Sequence, residues 1–115
     1  MEVFPTLEQL INFFGSKPKT PGPADEWYYS TLGFSINNAL ETIECDIEPS
    51  EYIFRLRYYN EGFESLNLNF ETVDAIEILS REKINVLRVN FYYESRPASL
   101  ELQLEPFTRI TVLGY

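Results

Sequence analysis

The chain has 115 residues, which suits one domain of ordinary size. Hydrophobic residues make up 44% and charged residues 23%, and this balance excludes an intrinsically disordered protein. The formal net charge of −9 argues against binding to nucleic acid or to an anionic membrane, because both are bound through clustered Lys and Arg. A basic protein surface or a cation remains as a partner, although net charge also serves solubility alone.

The cysteine content and the apolar pattern bear on where the protein works. The single cysteine, Cys45, allows no internal disulfide, and this favours a reducing compartment. The N-terminus lacks a basic start followed by an apolar stretch, and no run approaches roughly eighteen apolar residues. We therefore expect a cytoplasmic protein that is neither secreted nor inserted in a membrane.

The N-terminal segment has the pattern of a helix over 6–14. Thr6 and Gln9 have the spacing of a capping box, with Pro5 just before them. Apolar residues then recur at helical spacing, as Leu7, Leu10, Ile11 and Phe14. Such a short helix is unstable alone, so we expect it to pack on a sheet. A loop rich in Pro and Gly follows over 15–26.

From Trp27 onward the apolar residues alternate with a period of two, which is typical of strands. The aromatic content of 16% also suits a sheet. The pattern predicts a single domain, 1–115, with an antiparallel β region over 27–115. The predicted fold is mostly β, or α+β by element count, with an antiparallel meander of about seven or eight strands. It would form a twisted sheet, a sandwich or a partial barrel, with the helix packed on it.

Three hairpins can be placed so that paired strands agree on one apolar face. Tight connections near 49–50, 61–63 and 95–98 would join their strands. The expected pairs are Cys45 with Phe54, Leu56 with Leu68, Val89 with Leu104 and, on the outer face, Glu44 with Arg55 and Arg88 with Glu105. The residues expected to be buried together are Phe54, Leu56, Leu68, Phe70, Val89, Phe91 and Leu102.

Two segments, 65–79 and 99–113, align without gaps at an offset of 34 residues, with six of fifteen positions identical. The alignment fits an internal repeat built of a strand, a bend and a second strand. It fits equally well two unrelated pairs of half-buried strands, since such strands share one pattern. The sequence leaves both interpretations open.

The residue types of most active sites are missing. The sequence has no histidine, which removes the commonest general base and the commonest metal ligand. Cys45 falls at an inward position of a predicted strand, so we expect an inert core residue. No glycine-rich phosphate loop is present. We expect no catalytic residue, no cofactor and no metal site.

Three acidic residues, Glu44, Asp46 and Glu48, alternate along one predicted strand and share its outer face. We call them the acidic strip. They fit a solvated face neutralised by Arg55 and Arg57 of the next strand, a docking surface for a basic protein, or a cation or acid–base site. A straight strand offers few converging oxygens, which counts against a hard cation.

Trp27, Tyr28 and Tyr29 form an aromatic run after the loop. Trp and Tyr are common anchors in protein interfaces, and they are equally common in the packing of sheets. The run is therefore a second candidate for partner binding beside the acidic strip, with sheet packing as the alternative.

Two classes of function agree with these observations. The first is a small acidic interaction protein without catalytic machinery, such as an immunity-type inhibitor that masks a basic partner. The second is a module that binds a small ligand or a metal, or a weak hydrolase that uses carboxylates alone. The first class rests on size, charge and residue types, and on no family resemblance.

Overall fold

The structure, a computed structural model, describes residues 3–19 and 24–114. These residues form one α-helix, two short 3₁₀ helices and eight antiparallel strands. The strands form two four-stranded sheets. The chain divides into two compact units: Phe14–Glu71 holds the first sheet, and Met1–Phe13 with Thr72–Tyr115 holds the second. The predicted mostly β fold with seven or eight antiparallel strands is confirmed.

The helix α1 runs over Leu7–Phe14 and begins with the predicted capping box. The Thr6 N–H donates to Oε1 of Gln9 at 2.8 Å, and the Gln9 N–H donates to Oγ1 of Thr6 at 3.1 Å. The ring of Phe14 stacks on Phe34 of the first sheet, with ring centroids 4.2 Å apart, so the predicted packing of the helix on a sheet is confirmed. In the described chain, no helix is long and apolar enough to cross a membrane.

The alternation predicted that the β region begins with the aromatic run at Trp27, and this is wrong. Ala24–Tyr29 form a 3₁₀ helix, and the first strand begins only at Leu32. The Ser30 N–H donates to the Trp27 carbonyl at 3.1 Å, and the Ser30 hydroxyl bonds back within the same turn. These local hydrogen bonds compete with the hydrogen bonds that a strand would make to its neighbour, and they hold the chain in a turn. Residues 20–23 of the predicted loop lie outside the described residues.

The first sheet has the order β1–β2–β3–β4, with β1 at Leu32–Asn37, β2 at Glu41–Glu48, β3 at Ile53–Asn60 and β4 at Phe63–Phe70. The predicted pairing of β3 with β4 is confirmed, because Leu56 lies opposite Leu68. The predicted pairing of β2 with β3 is wrong by two residues, since Cys45 lies opposite Leu56 rather than Phe54. A shift of two leaves every side chain on its predicted face.

The connections explain these registers. Between β2 and β3, the predicted two-residue turn is replaced by the 3₁₀ helix Pro49–Glu51 and by Tyr52, whose φ is 60°. The two additional residues move the pairing by two. Between β3 and β4, the turn consists of Glu61 and Gly62 and is one residue shorter than predicted. A bulge at Tyr58/Tyr59 compensates for that residue and restores the predicted register.

The second sheet has the order β5–β6–β7–β8, with β5 at Val73–Arg81, β6 at Ile84–Tyr93, β7 at Arg96–Gln103 and β8 at Arg109–Leu113. The predicted pairing of β6 with β7 is wrong by four residues, since Val89 lies opposite Leu100 rather than Leu104. Glu94 and Ser95 form the turn, with φ of 48° and 66°. The turn lacks the Gly or Asn that marks such a hairpin, so the sequence pattern does not reveal it.

The buried residues follow the predicted apolar faces, with one exception. Among those expected in the core, the fully buried residues are Phe54, Leu56, Val89, Phe91 and Leu102. Leu68 and Phe70 of β4 are only half-buried. β4 is one of the two edge strands of the first sheet, whereas β1, the other, buries Leu32 and Phe34.

The two segments with similar sequences occupy different places in the fold. Residues 65–79 run from β4, the last strand of the first sheet, into β5, the first strand of the second. Residues 99–113 include β8 and most of β7, two neighbouring strands of one sheet. We infer that the similarity reflects the common pattern of half-buried strands rather than a repeated unit.

Truncation of Phe54, which has no exposed surface, tests the assignment of the inner face of β3. We expect Phe54→Ala to lower the free energy of unfolding by about 3–5 kcal/mol, because it leaves a cavity. The control Phe63→Ala, at a residue that is 75% exposed, should change stability by less than about 0.5 kcal/mol. Denaturant titrations measure both. A loss below about 1 kcal/mol for Phe54→Ala would contradict this packing.

Candidate functional site

The acidic strip lies on the outer face of β2. The inner face of the same strand holds three buried residues, Ile43, Cys45 and Ile47. Because successive side chains of a strand point to opposite faces, the burial of these three turns Glu44, Asp46 and Glu48 outward. The three carboxylates remain half-buried against the neighbouring strand.

Two arginines of β3 pair with all three carboxylates. Nη1 of Arg55 lies 2.7 Å from Oε2 of Glu48. Nη2 of Arg57 lies 3.0 Å from Oε2 of Glu44 and 3.2 Å from Oδ2 of Asp46. Arg55 and Arg57 thus neutralise the strip in part, and Glu44 lies opposite Arg57 rather than opposite Arg55 as predicted. Each half-exposed pair contributes roughly 0.2–1 kcal/mol to stability.

A shallow, open depression of about 440 Å³ lies beside these ion pairs. Gly33 of β1 lies opposite Asp46, and a Cβ at Gly33 would come within 3.3 Å of Oδ1 of Asp46. The glycine thus leaves room for the carboxylate. Lys19 closes one side through backbone hydrogen bonds of 2.8 Å and 2.9 Å with Gly33. Since Glu44, Asp46 and Arg57 already pair with one another, the depression presents few uncommitted charges to a ligand.

The described residues contain no group of three or more His, Cys, Asp or Glu placed to hold a metal ion. Cys45, the one nucleophilic thiol, is fully buried. Burial raises the pKa of the Cys45 thiol, and the nearby charge of Asp46 raises it further. The thiol therefore stays protonated near neutral pH and is a poor nucleophile, so the prediction of a core cysteine is confirmed.

The aromatic run packs edge to face, with ring centroids 5.8 Å apart for Trp27 and Tyr28 and 5.5 Å apart for Tyr28 and Tyr29. Tyr29 is 79% exposed, whereas Trp27 and Tyr28 are half-buried. The 3₁₀ helix that carries them lies against Pro49–Glu51, which directly follows Glu48. The structure therefore brings the aromatic run beside the Glu48 end of the acidic strip.

The opposite end of the first sheet carries residues that sequence reasoning missed. Leu40, in the turn before β2, is 60% exposed, and Phe63 begins β4 with 75% of its surface exposed. Glu61 lies next to Leu40, because its N–H donates to the Leu40 carbonyl at 2.8 Å. We call Leu40, Glu41, Glu61, Phe63 and Glu64 the turn-end patch. A large apolar residue beside a tight turn is the sequence signal that marks it.

The outer face of the second sheet carries a separate charge cluster. Arg88 lies opposite Glu101 and not opposite Glu105 as predicted. Nη1 and Nη2 of Arg81 donate to the two carboxylate oxygens of Glu101 at 2.8 Å and 2.9 Å. These hydrogen bonds hold the pKa of Glu101 below its usual value of 4.5, although burial opposes them, and Arg88 and Arg109 lower it further.

The chain matches no known protein family and no curated protein. Its fold is similar to that of a chain in the solved structure "Contact-dependent growth inhibition toxin - immunity protein complex from Klebsiella pneumoniae 342", with a TM-score of 0.83 and 14% sequence identity. The likeness covers 98% of this chain and 96% of that chain. At this identity the comparison establishes the shared fold.

The Arg81–Glu101 pair predicts a stability difference that depends on pH. The pKa of Glu101 is lower in the folded state, so its contribution is present above its usual pKa and is lost as the pH falls through the folded value. We expect Arg81→Gln to destabilise the protein at neutral pH, and the difference from wild type to shrink as the pH falls through the lowered pKa of Glu101. Denaturant titrations across this range measure the difference, with the exposed Arg96→Gln as control. A difference independent of pH would contradict the assignment.

Proposed function

We propose that this chain is an immunity-type protein, which binds a protein toxin and neutralises it by covering the surface that the toxin uses. The observation that carries the proposal is the likeness to a chain of a toxin–immunity protein complex over nearly the whole length of both chains. An inhibitor of this kind acts through contact area and complementary charge, so it needs no catalytic residue of its own.

The residue types favour the immunity side of such a complex over the toxin side. A toxin that cleaves its target needs an activated nucleophile or a general base. This sequence has no histidine, and its single thiol is buried. The net charge of −9 would also repel a nucleic-acid substrate. We therefore propose a non-enzymatic role.

The distribution of charge supports a basic partner. Residues 14–71 contain ten acidic and four basic side chains, so this unit carries six of the nine excess negative charges. Such a field accelerates the encounter with a positively charged protein and weakens as salt screens it. We propose that the toxin is basic where it contacts this unit, and that the two proteins meet in the cytoplasm.

The acidic strip and the aromatic run remain candidates for the contact surface. Arg55 and Arg57 cancel two of the three negative charges of Glu44, Asp46 and Glu48, so the strip adds little to long-range attraction. Tyr29 is the exposed member of the aromatic run and offers apolar area beside Glu48. We propose that both groups lie at the rim of the interface, where individual contacts contribute little affinity.

The alternatives have less support. A small-ligand module would use the depression beside Gly33, which is open and three of whose four lining charges are engaged with one another. A hydrolase based on carboxylates would use Glu44 and Asp46, and both are paired with Arg57. Neither arrangement leaves a carboxylate ready to accept a proton from a substrate.

Co-expression tests the proposal directly. We expect that the toxin encoded immediately upstream of this chain in its native genome arrests growth when it is expressed alone. Co-expression of this chain should restore growth, and the two proteins should co-purify. Growth arrest by this chain alone would place it on the toxin side. Absence of rescue, or a native gene neighbourhood made only of metabolic enzymes, would contradict the immunity role.

A further inference from the structure

The turn-end patch is an ordered surface rather than a loose loop. The Oδ1 of Asn38 accepts hydrogen bonds from the backbone N–H groups of Leu40 at 3.2 Å and Glu41 at 2.9 Å. The Glu61 N–H then joins the two turns through the Leu40 carbonyl. These bonds fix the backbone before any partner arrives, which lowers the conformational entropy that binding costs.

Two large apolar side chains project from this fixed backbone. Leu40 and Phe63 rank among the most exposed large hydrophobic residues of the described chain. They belong to one end of one sheet, because Phe63 lies opposite Asn60, Asn60 lies opposite Glu41, and Leu40 precedes Glu41. The two residues lie two strands apart, which is about 10 Å at the usual spacing of strands, so a partner that covers this end of the sheet can contact both. Exposed apolar residues that cluster in this way mark interaction sites more often than scattered ones do.

The charge around these two residues specifies the partner. Glu41 follows Leu40 in the sequence, and Glu61 and Glu64 lie on either side of Phe63. No Lys or Arg occurs between Lys19 and Arg55 or between Arg57 and Arg81. Within residues 3–19 and 24–114, Glu61 and Glu64 make no ion pair, in contrast to the carboxylates of the acidic strip. Their charge is thus available to an incoming cation.

Glu41 is held in place by a tyrosine. Oη of Tyr58 donates to Oε1 of Glu41 at 2.6 Å. This hydrogen bond to the carboxylate raises the pKa of Tyr58, with smaller contributions from burial and from the charge of Glu41. The phenol therefore stays protonated near neutral pH and keeps the carboxylate oriented, which makes Glu41 a fixed acceptor at the edge of the patch.

We propose that the turn-end patch is the anchor of the toxin-binding surface, with Leu40 and Phe63 seated in an apolar depression of the toxin and the three glutamates facing Lys or Arg residues at its margin. This inference rests on the proposed function. A second copy of this chain is disfavoured as the occupant, because two such patches would bring like charges together.

Substitutions at the patch and at matched positions test the inference. The binding partner is the upstream-encoded toxin, and its affinity for each variant is measured by calorimetry or by surface-based kinetics. We expect Phe63→Ser to weaken binding at least about tenfold. The control Phe107→Ser changes another exposed phenylalanine, with 61% of its surface exposed, and should leave binding unchanged. Leu40→Ser should behave as Phe63→Ser does.

The charges are tested by association rates. Glu61→Gln with Glu64→Gln should slow association at least about threefold at low salt and reduce its dependence on salt. The matched change of the acidic strip, Glu44→Gln, Asp46→Asn and Glu48→Gln, should have a smaller effect, because Arg55 and Arg57 already neutralise those carboxylates. Circular dichroism and thermal melts confirm that each variant is folded.

The possible outcomes separate this inference from the proposed function. Tight binding by wild type with equal affinities for Phe63→Ser and Phe107→Ser would overturn the anchor and leave the immunity role standing. A wild-type dimer that Phe63→Ser dissociates, with toxin binding unchanged, would assign the patch to self-association and overturn the inference. Failure of the wild-type chain to bind the toxin would overturn both.

Discussion

The alternation of side chains along β2 is the constraint on which the rest of the first sheet depends. Because Ile43, Cys45 and Ile47 are buried, Glu44, Asp46 and Glu48 must face outward and meet whatever β3 presents there. β3 presents Arg55 and Arg57. The three carboxylates of the acidic strip are consequently paired with these two arginines, and we propose that they lie at the rim of a partner interface rather than at its centre.

The sequence predicts faces better than it predicts partners across strands. A shift of the register by one residue would bury the charged face, which is too costly, whereas a shift by two or four keeps the pattern intact. The predicted pairings of Cys45 and Val89 are wrong by two and by four residues, and both errors keep each side chain on its predicted face. Their registers depend on the connections: Pro49–Glu51 adds a turn of 3₁₀ helix, and Glu94 with Ser95 takes up positive φ without glycine. The alternation of apolar residues also wrongly predicts a strand at Trp27, where local hydrogen bonds outweigh strand propensity.

One part of the candidate site could be predicted from the sequence, and another part could not. The acidic strip and its neutralisation by Arg55 and Arg57 follow from alternation and charge alone. The turn-end patch does not, because Leu40 and Phe63 are distant in sequence and come to the same end of the sheet only through the pairing of β2 with β3 and of β3 with β4. The net charge supports our proposal of a basic partner, and the topology supports our proposal of where it binds.

We propose that this chain neutralises a toxin through the end of its first sheet that carries the turn-end patch. Hydroxyl-radical footprinting of the chain, free and bound to the upstream-encoded toxin, tests it most directly, since oxidation reports the exposure of individual side chains. Phe63 and Leu40 should be oxidised in the free chain and protected in the complex, while Phe107 and Leu113, which are also exposed, should react equally in both states. Protection of Phe107 and Leu113 with unchanged oxidation of Phe63 would contradict the account.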